Sequence, residues 1–114
     1  MITIYHNPRC SKSRQTLALL EERGIEPTII PYLDNPPSAS TLKQILKKLA
    51  LKPRQILRTG EAVYKSLHLD NDQLSDGELI QAMVDNPILI ERPIVVNGDK
   101  AALGRPPEQV LDIL

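Results

Sequence analysis

The chain has no tryptophan and no phenylalanine, and its only aromatic residues are Tyr5, Tyr32 and Tyr64. A protein that binds nucleic acid by stacking needs aromatic platforms along a cationic stripe. The charge balance argues against such a binder as well, since 14 Lys and Arg meet 14 Asp and Glu for a formal net charge of +0. No apolar run approaches the ~20 residues of a membrane span. The N-terminus also lacks the basic-then-apolar pattern of a secretory leader. A single cysteine, Cys10, rules out a disulfide within the chain. Together these absences point to a cytoplasmic protein in a reducing compartment, with no membrane partner and no direct nucleic-acid partner. No metal-ligand set and no bound cofactor are assigned. A length of 114 residues predicts one domain, 1–114, with room for a single core.

What is present gathers near the N-terminus. Ile2-Thr3-Ile4-Tyr5 alternates and is β-branched or aromatic, which predicts a short strand. His6-Asn7-Pro8-Arg9 reads as a loop, and Ser11 to Arg23 as a helix with Leu17 and Leu20 on its inward face, ending at Gly24. Cys10 therefore stands where strand hands over to helix. A thiol there faces free backbone N–H groups and the positive end of the helix dipole, and both favour thiolate. No acidic residue precedes Glu21, whereas Arg9, Lys12 and Arg14 surround the cysteine. Free cysteines are most often small buried hydrophobes. The polar neighbours Arg9, Ser11, Lys12 and Ser13 read as exposed and favour a reactive thiol instead.

Thr28-Ile29-Ile30 predicts a second strand, parallel to the first and at an edge because Pro27 and Pro31 bracket it. Asp34-Asn35-Pro36-Pro37 is a break. Ser38 then caps a helix with Leu42, Ile45, Leu46 and Leu49 on one face. Short helices are predicted from Pro53 through Leu57 and from Ala62 to Leu67. Another follows Ser75, with Leu79, Ile80, Met83 and Val84 inward. Ile94-Val95-Val96 is a strand, Asn97-Gly98 signals a hairpin, and Lys100 to Leu103 returns. Arg105-Pro106-Pro107 opens a C-terminal helix with Val110, Leu111 and Leu114 inward. This order predicts an α/β, thioredoxin-like fold: β-α-β, a helical insertion over about 38–86, then β-β-α, with a mixed four-stranded sheet. In that fold a cis-proline precedes the third strand, and Pro93 is the matching residue.

Ile4 to Cys10 reads Ile-Tyr-His-Asn-Pro-x-Cys. Asn35-Pro36-Pro37-Ser38, Asn86 to Ile90, Arg92 to Val96 and Arg105-Pro106 follow in order. In these motifs the chain resembles the glutaredoxin-linked arsenate reductase family (ArsC-like), over nearly its whole length. The resemblance implies that Cys10 attacks arsenate and that Arg58, Arg92 and Arg105 bind the oxyanion. It also implies that His6 helps to set the thiol pKa. Guanidinium suits a tetrahedral oxyanion because it can donate to two oxygens at once. One cysteine cannot complete a two-electron reduction by an internal disulfide, so the other thiols come from outside. That fits glutathione as co-substrate and glutaredoxin as partner. Ser11 or Ser13 could donate to the thiolate, or simply cap the helix.

Two features depart from the better-known resistance reductases. Ser11-Lys12 stands where those tend to have Gly-Thr, and the chain stops at Leu114 where those continue. The resemblance is therefore to a shorter, chromosomal-type subgroup. Two other functions stay open on the residues. One is a redox-responsive regulator of the same fold, although Ser13 replaces the second cysteine such sensors carry. The other is a general glutathione-dependent thiol oxidoreductase.

Overall fold

The computed structural model describes residues 1–114. The chain divides into two compact units, the first made of Met1–Asn35 with Arg92–Leu114, the second of Pro36–Glu91.

In the first unit, strand β1 (Ile2–His6) leads into helix α1 (Ser11–Glu22) and strand β2 (Thr28–Pro31). After the second unit the chain returns as β3 (Ile94–Asn97), β4 (Lys100–Leu103) and a 3-10 helix over Pro107–Ile113. The sheet order is β2-β1-β3-β4, with β1 and β2 parallel and the other pairs antiparallel. This is the mixed four-stranded sheet of a thioredoxin-like fold. β2 is the edge strand expected from its flanking prolines, and Thr28 and Ile29 are exposed. The core joins Ile4, Leu20, Val95 and Val110, with Ile2, Leu17, Ile25, Ala102 and Ile113 against them. Helix α1 closes at Gly24, whose φ of +74° accompanies N–H bonds from Gly24 to Glu21 O and from Ile25 to Leu20 O.

Three local expectations are corrected here. The hairpin connection is Gly98-Asp99, because Asn97 is the last rung of the ladder opposite Lys100. Its side chain is held by donating to Ile113 O at 2.6 Å, and Gly98 takes the positive φ of +61°. The C-terminal element is a 3-10 helix, whose three-residue turn stacks Val110 over Ile113 on the core and leaves Leu114 exposed. Finally, the inward face of α1 is Ser13, Thr16 and Leu20, so two of its buried positions are polar.

In the second unit, helix α2 (Ala39–Leu49) is capped by Ser38, which accepts from Thr41 N–H at 3.1 Å. It buries Leu42, Ile45 and Leu46. A 3-10 turn over Pro53–Ile56 precedes α3 (Ala62–Ser66), and α4 (Asp76–Asp85) starts from a reciprocal Ser75–Glu78 capping box. α4 buries Leu79, Ile80 and Met83. After a 3-10 turn over Pro87–Leu89, Ile90 bridges back to Leu57. No helix is long and apolar enough to cross a membrane.

Candidate active site

The end of β1 and the start of α1 are tied together by the loop between them. Cys10 N–H donates to Asn7 O at 3.0 Å, and Arg9 N–H donates to Asn7 Oδ1 at 3.0 Å. The tie to the helix is Ser13, fully buried at 0% exposure. Its Oγ accepts from Asn7 N–H at 3.0 Å and lies 2.6 Å from His6 Nδ1. The polar neighbours of Cys10 read as exposed from sequence, and Ser13 departs from that. It is instead drawn inward because its hydroxyl satisfies two buried polar groups of the loop, which would otherwise be stranded. The hydroxyl is therefore committed to His6 and Asn7, and what Ser13 offers the thiol is its backbone N–H.

Cys10 is the N-cap residue of α1 and is half-buried. Its side chain forms no full capping hydrogen bond, so the first-turn N–H groups remain available to the sulfur. Burial pushes the thiol pKa up. The N–H groups of Ser13 and Lys12 and the guanidinium of Arg92 outweigh burial and hold the thiol below its ordinary value. The cation that acts on the sulfur is thus Arg92. Of the nearer cations, Arg9 and Lys12 are exposed, and Arg14 donates to Pro8 O at 2.9 Å. His6 is buried, and its pKa is lowered first by that burial and then by Arg14, so the ring is neutral at neutral pH.

Arg92 lies two residues before the start of β3, and the Arg92–Pro93 bond is cis, as is Arg105–Pro106. Its guanidinium reaches Cys10 and also Tyr32, whose ring is 1% exposed. Burial works against the Arg92 charge, and these two neighbours more than offset it. Nε and Nη1 of Arg92 are buried with no partner in the protein. Buried donors of a charged group almost always have acceptors. Two such donors beside an acidic thiol are placed to bind an oxyanion. Arg105 packs on the same segment, donating from Nη1 to Arg92 O at 3.0 Å.

Gly104 closes this corner. Its N–H donates to Pro93 O at 3.0 Å. A Cβ there would fall on Thr16 Oγ1 and lie 2.7 Å from Pro93 Cγ. Only glycine lets the chain leaving β4 pass so close to the Arg92–Pro93 segment.

The five residues singled out from sequence are thus distributed unevenly. The first unit brings Cys10 and Arg92 together, sets Arg105 on Arg92, and joins His6 to Ser13 behind the loop. Arg58 belongs to the second unit, where it pairs with Glu61 at 3.1 Å and Glu91 at 3.5 Å. Tyr32 and Gly104 carried no local sequence signal. Tyr32 simply follows the edge strand, and a glycine just after the returning strand reads as an ordinary loop. No group of three or more His, Cys, Asp or Glu converges on a metal position.

Residues 5–113 match the ArsC family. The chain is similar to an arsenate reductase from Haemophilus influenzae, 57% identical over 114 residues that cover 99% of this chain and 98% of that protein. It is 48% identical to an arsenate reductase from Escherichia coli over 113 residues, 99% of this chain and 80% of that protein. Among solved structures, an arsenate reductase from Vibrio cholerae superposes with a TM-score of 0.97 at 54% identity, covering 99% of this chain and 97% of that one.

Proposed function

The chain belongs to the ArsC family, and from that premise we propose that it is an arsenate reductase that works through a Cys10 thiolate. The observation that carries this reading is the pair of partnerless buried donors on Arg92 beside a thiol whose pKa is held down. Arsenate is tetrahedral and anionic, and a guanidinium with two free N–H groups can bind two of its oxygens at once. The family resemblance adds Arg105 as a second oxyanion ligand beside Arg92, and it names Arg58 as a further candidate. The thiolate attacks arsenic, and one arsenate oxygen departs as water. Arsenic then gains two electrons as two thiols join in a disulfide. Since Cys10 is the only cysteine, the second thiol belongs to another molecule. Glutathione serves as that co-substrate, and glutaredoxin clears the resulting mixed disulfide.

His6 has a part that differs from a direct electrostatic one. A neutral ring joined to Ser13 acts as a positioning residue, because it fixes the turn from which Ser13 and Lys12 present N–H groups to the sulfur.

The test is arsenate-dependent NADPH consumption in the presence of glutathione, glutaredoxin and glutathione reductase, with Cys10→Ser as control. Turnover by the wild type and none by Cys10→Ser is expected. No arsenate-dependent consumption with several glutaredoxins, alongside ready formation of a Cys10–glutathione disulfide, would replace the reductase reading with that of a general thiol oxidoreductase.

A further inference from the structure

The anion-binding groups lie on the β3 side of Cys10. On the β2 side the first unit carries a second concavity, of about 300 Å³. One wall is the His6–Arg9 loop, and the other is Pro31, Leu33 and Asp34 beyond β2. It sits at the C-terminal ends of the two parallel strands, where His6 and Pro31 are register partners, a position where α/β sheets commonly bind ligands. Both walls are held in place. Asn7 ties the loop to Cys10, Arg9 and Ser13, while Asp34 and Asn35 N–H both donate to Pro31 O at 2.9 Å. The volume is at the lower end of the roughly 300–1,000 Å³ usual for small-molecule sites.

The lining is chemically specific. Pro8, Pro31 and the 38% exposed Leu33 give apolar surface. Arg9 and Asp34, both exposed, add one charge of each sign. A simple anion finds Asp34 repulsive there, and a simple cation finds Arg9 so. The matching ligand carries both an ammonium and a carboxylate on a short, partly apolar frame. Cys10 does not itself line the cavity, but it follows Arg9 directly in the chain, and a ligand of tripeptide length, about 10 Å when extended, can run from the cavity to the sulfur.

We propose that this cavity binds the external thiol as a zwitterion, with its carboxylate on Arg9 and its ammonium on Asp34. The inference rests on the reading that Cys10 exchanges with an outside thiol, and it gives that thiol a place and two specificity-determining contacts. Glutathione is of that class, and 2-mercaptoethanol, with neither charge, is not.

The test uses two reactions of the full chain. The first is exchange without arsenate: the Cys10 thiolate attacks glutathione disulfide or the uncharged disulfide of 2-mercaptoethanol, one S–S bond breaks, another forms, and glutathione or 2-mercaptoethanol leaves as its thiolate. The second is arsenate turnover driven by glutathione or by 2-mercaptoethanol. Exchange rates are normalised to alkylation by neutral iodoacetamide, which removes any change in Cys10 itself. Asp34→Asn and Arg9→Gln are expected to reduce the preference for glutathione over 2-mercaptoethanol by about five- to tenfold, the scale of one charge-assisted contact near a surface. Masking both glutathione carboxylates as esters should erase the difference between wild type and Arg9→Gln but leave that between wild type and Asp34→Asn. If wild type turns over arsenate yet both variants keep the full preference, the cavity assignment is overturned and the reductase reading stands. If arsenate is not turned over but exchange shows the charge-dependent preference, the reductase reading fails and the cavity assignment stands.

Discussion

At Cys10 the balance is between burial, which favours thiol, and a set of donors, which favour thiolate. The donors win. The rate of Cys10 alkylation should therefore rise with pH around a midpoint below the ~8.5 of free cysteine, and a midpoint at or above that value would remove the nucleophile. The same shift has a stability consequence. A thiolate favoured by the fold contributes stability in full above the free-cysteine pKa, and that contribution is lost as pH falls through the folded value. Arg92→Lys should raise the midpoint and cut arsenate turnover by about a hundredfold, as removal of an oriented oxyanion donor commonly does. An ammonium keeps the charge but loses the paired N–H geometry. His6 behaves differently. Its lowered pKa means that the unfolded chain takes up the proton first as pH drops below ~6.5, so the fold loses stability there. Chemical denaturation at pH 7.5 and 5.5 should show this loss in the wild type and a shallower slope in His6→Gln. The alkylation midpoint of His6→Gln should stay nearer to wild type than that of His6→Ala, because an amide can still bond Ser13. Equal midpoints for both variants would exclude positioning through Ser13.

Among elements, the periodic ones were legible and the packed-in ones were not. α2 and α4 repeat apolar residues at helical spacing behind Ser38 and Ser75, so existence, caps and buried faces could be read directly. The βαβ start followed from a β-branched run, a helix and a glycine stop. The buried face of α1 was hidden because Ser13 and Thr16 go inward for hydrogen bonds, through Ser13 Oγ to the loop and from Thr16 Oγ1 to Lys12 O at 2.8 Å. Polar side chains buried by such partners leave no hydrophobic period. The contact of Gly104 with Pro93 was equally hidden, since only the sheet brings them together. Gly104→Ala should destabilise the protein by about 1–3 kcal/mol through overpacking. It should also lower kcat/KM for arsenate, as the strain falls on the segment that carries Arg92. An active variant of wild-type stability would show that the corner tolerates a methyl group. Ala50 at the end of α2 is the reverse case, a non-glycine residue at a φ of +57°. It is exposed, so Ala50→Gly relieves the left-handed penalty without opening a cavity. A gain of about 0.5–1 kcal/mol in urea denaturation is expected after the added flexibility of the unfolded chain is set against it.

Across the whole molecule, the reactive thiol and two of the proposed anion ligands come from sequence segments separated by the entire second unit. Met1–Asn35 supplies Cys10, and Arg92–Leu114 supplies Arg92 and Arg105. Sequence motifs named these residues, but only the antiparallel pairing of β1 with β3 explains why Arg92 meets Cys10. Arg58 is held by its own unit. The Leu57–Ile90 bridge and the Glu91 N–H donation to Ile56 O at 2.8 Å bring Arg58 and Glu91 together. A guanidinium between Glu61 and Glu91 has a ready structural use, so its family role needs a test that separates the two. Its ion pairs are about one-fifth exposed on each side, which limits their worth to about 1 kcal/mol after solvent screening. Arg58→Lys should keep most of that stability, because an ammonium can still sit between two carboxylates. If Arg58 also binds arsenate, the same substitution should raise KM for arsenate by about tenfold, the loss of one charge-assisted hydrogen bond. Stability is read by urea denaturation and KM by initial rates at saturating glutathione. A variant with unchanged KM, whatever its stability, would confine Arg58 to holding its own unit together and leave the oxyanion to Arg92 and Arg105.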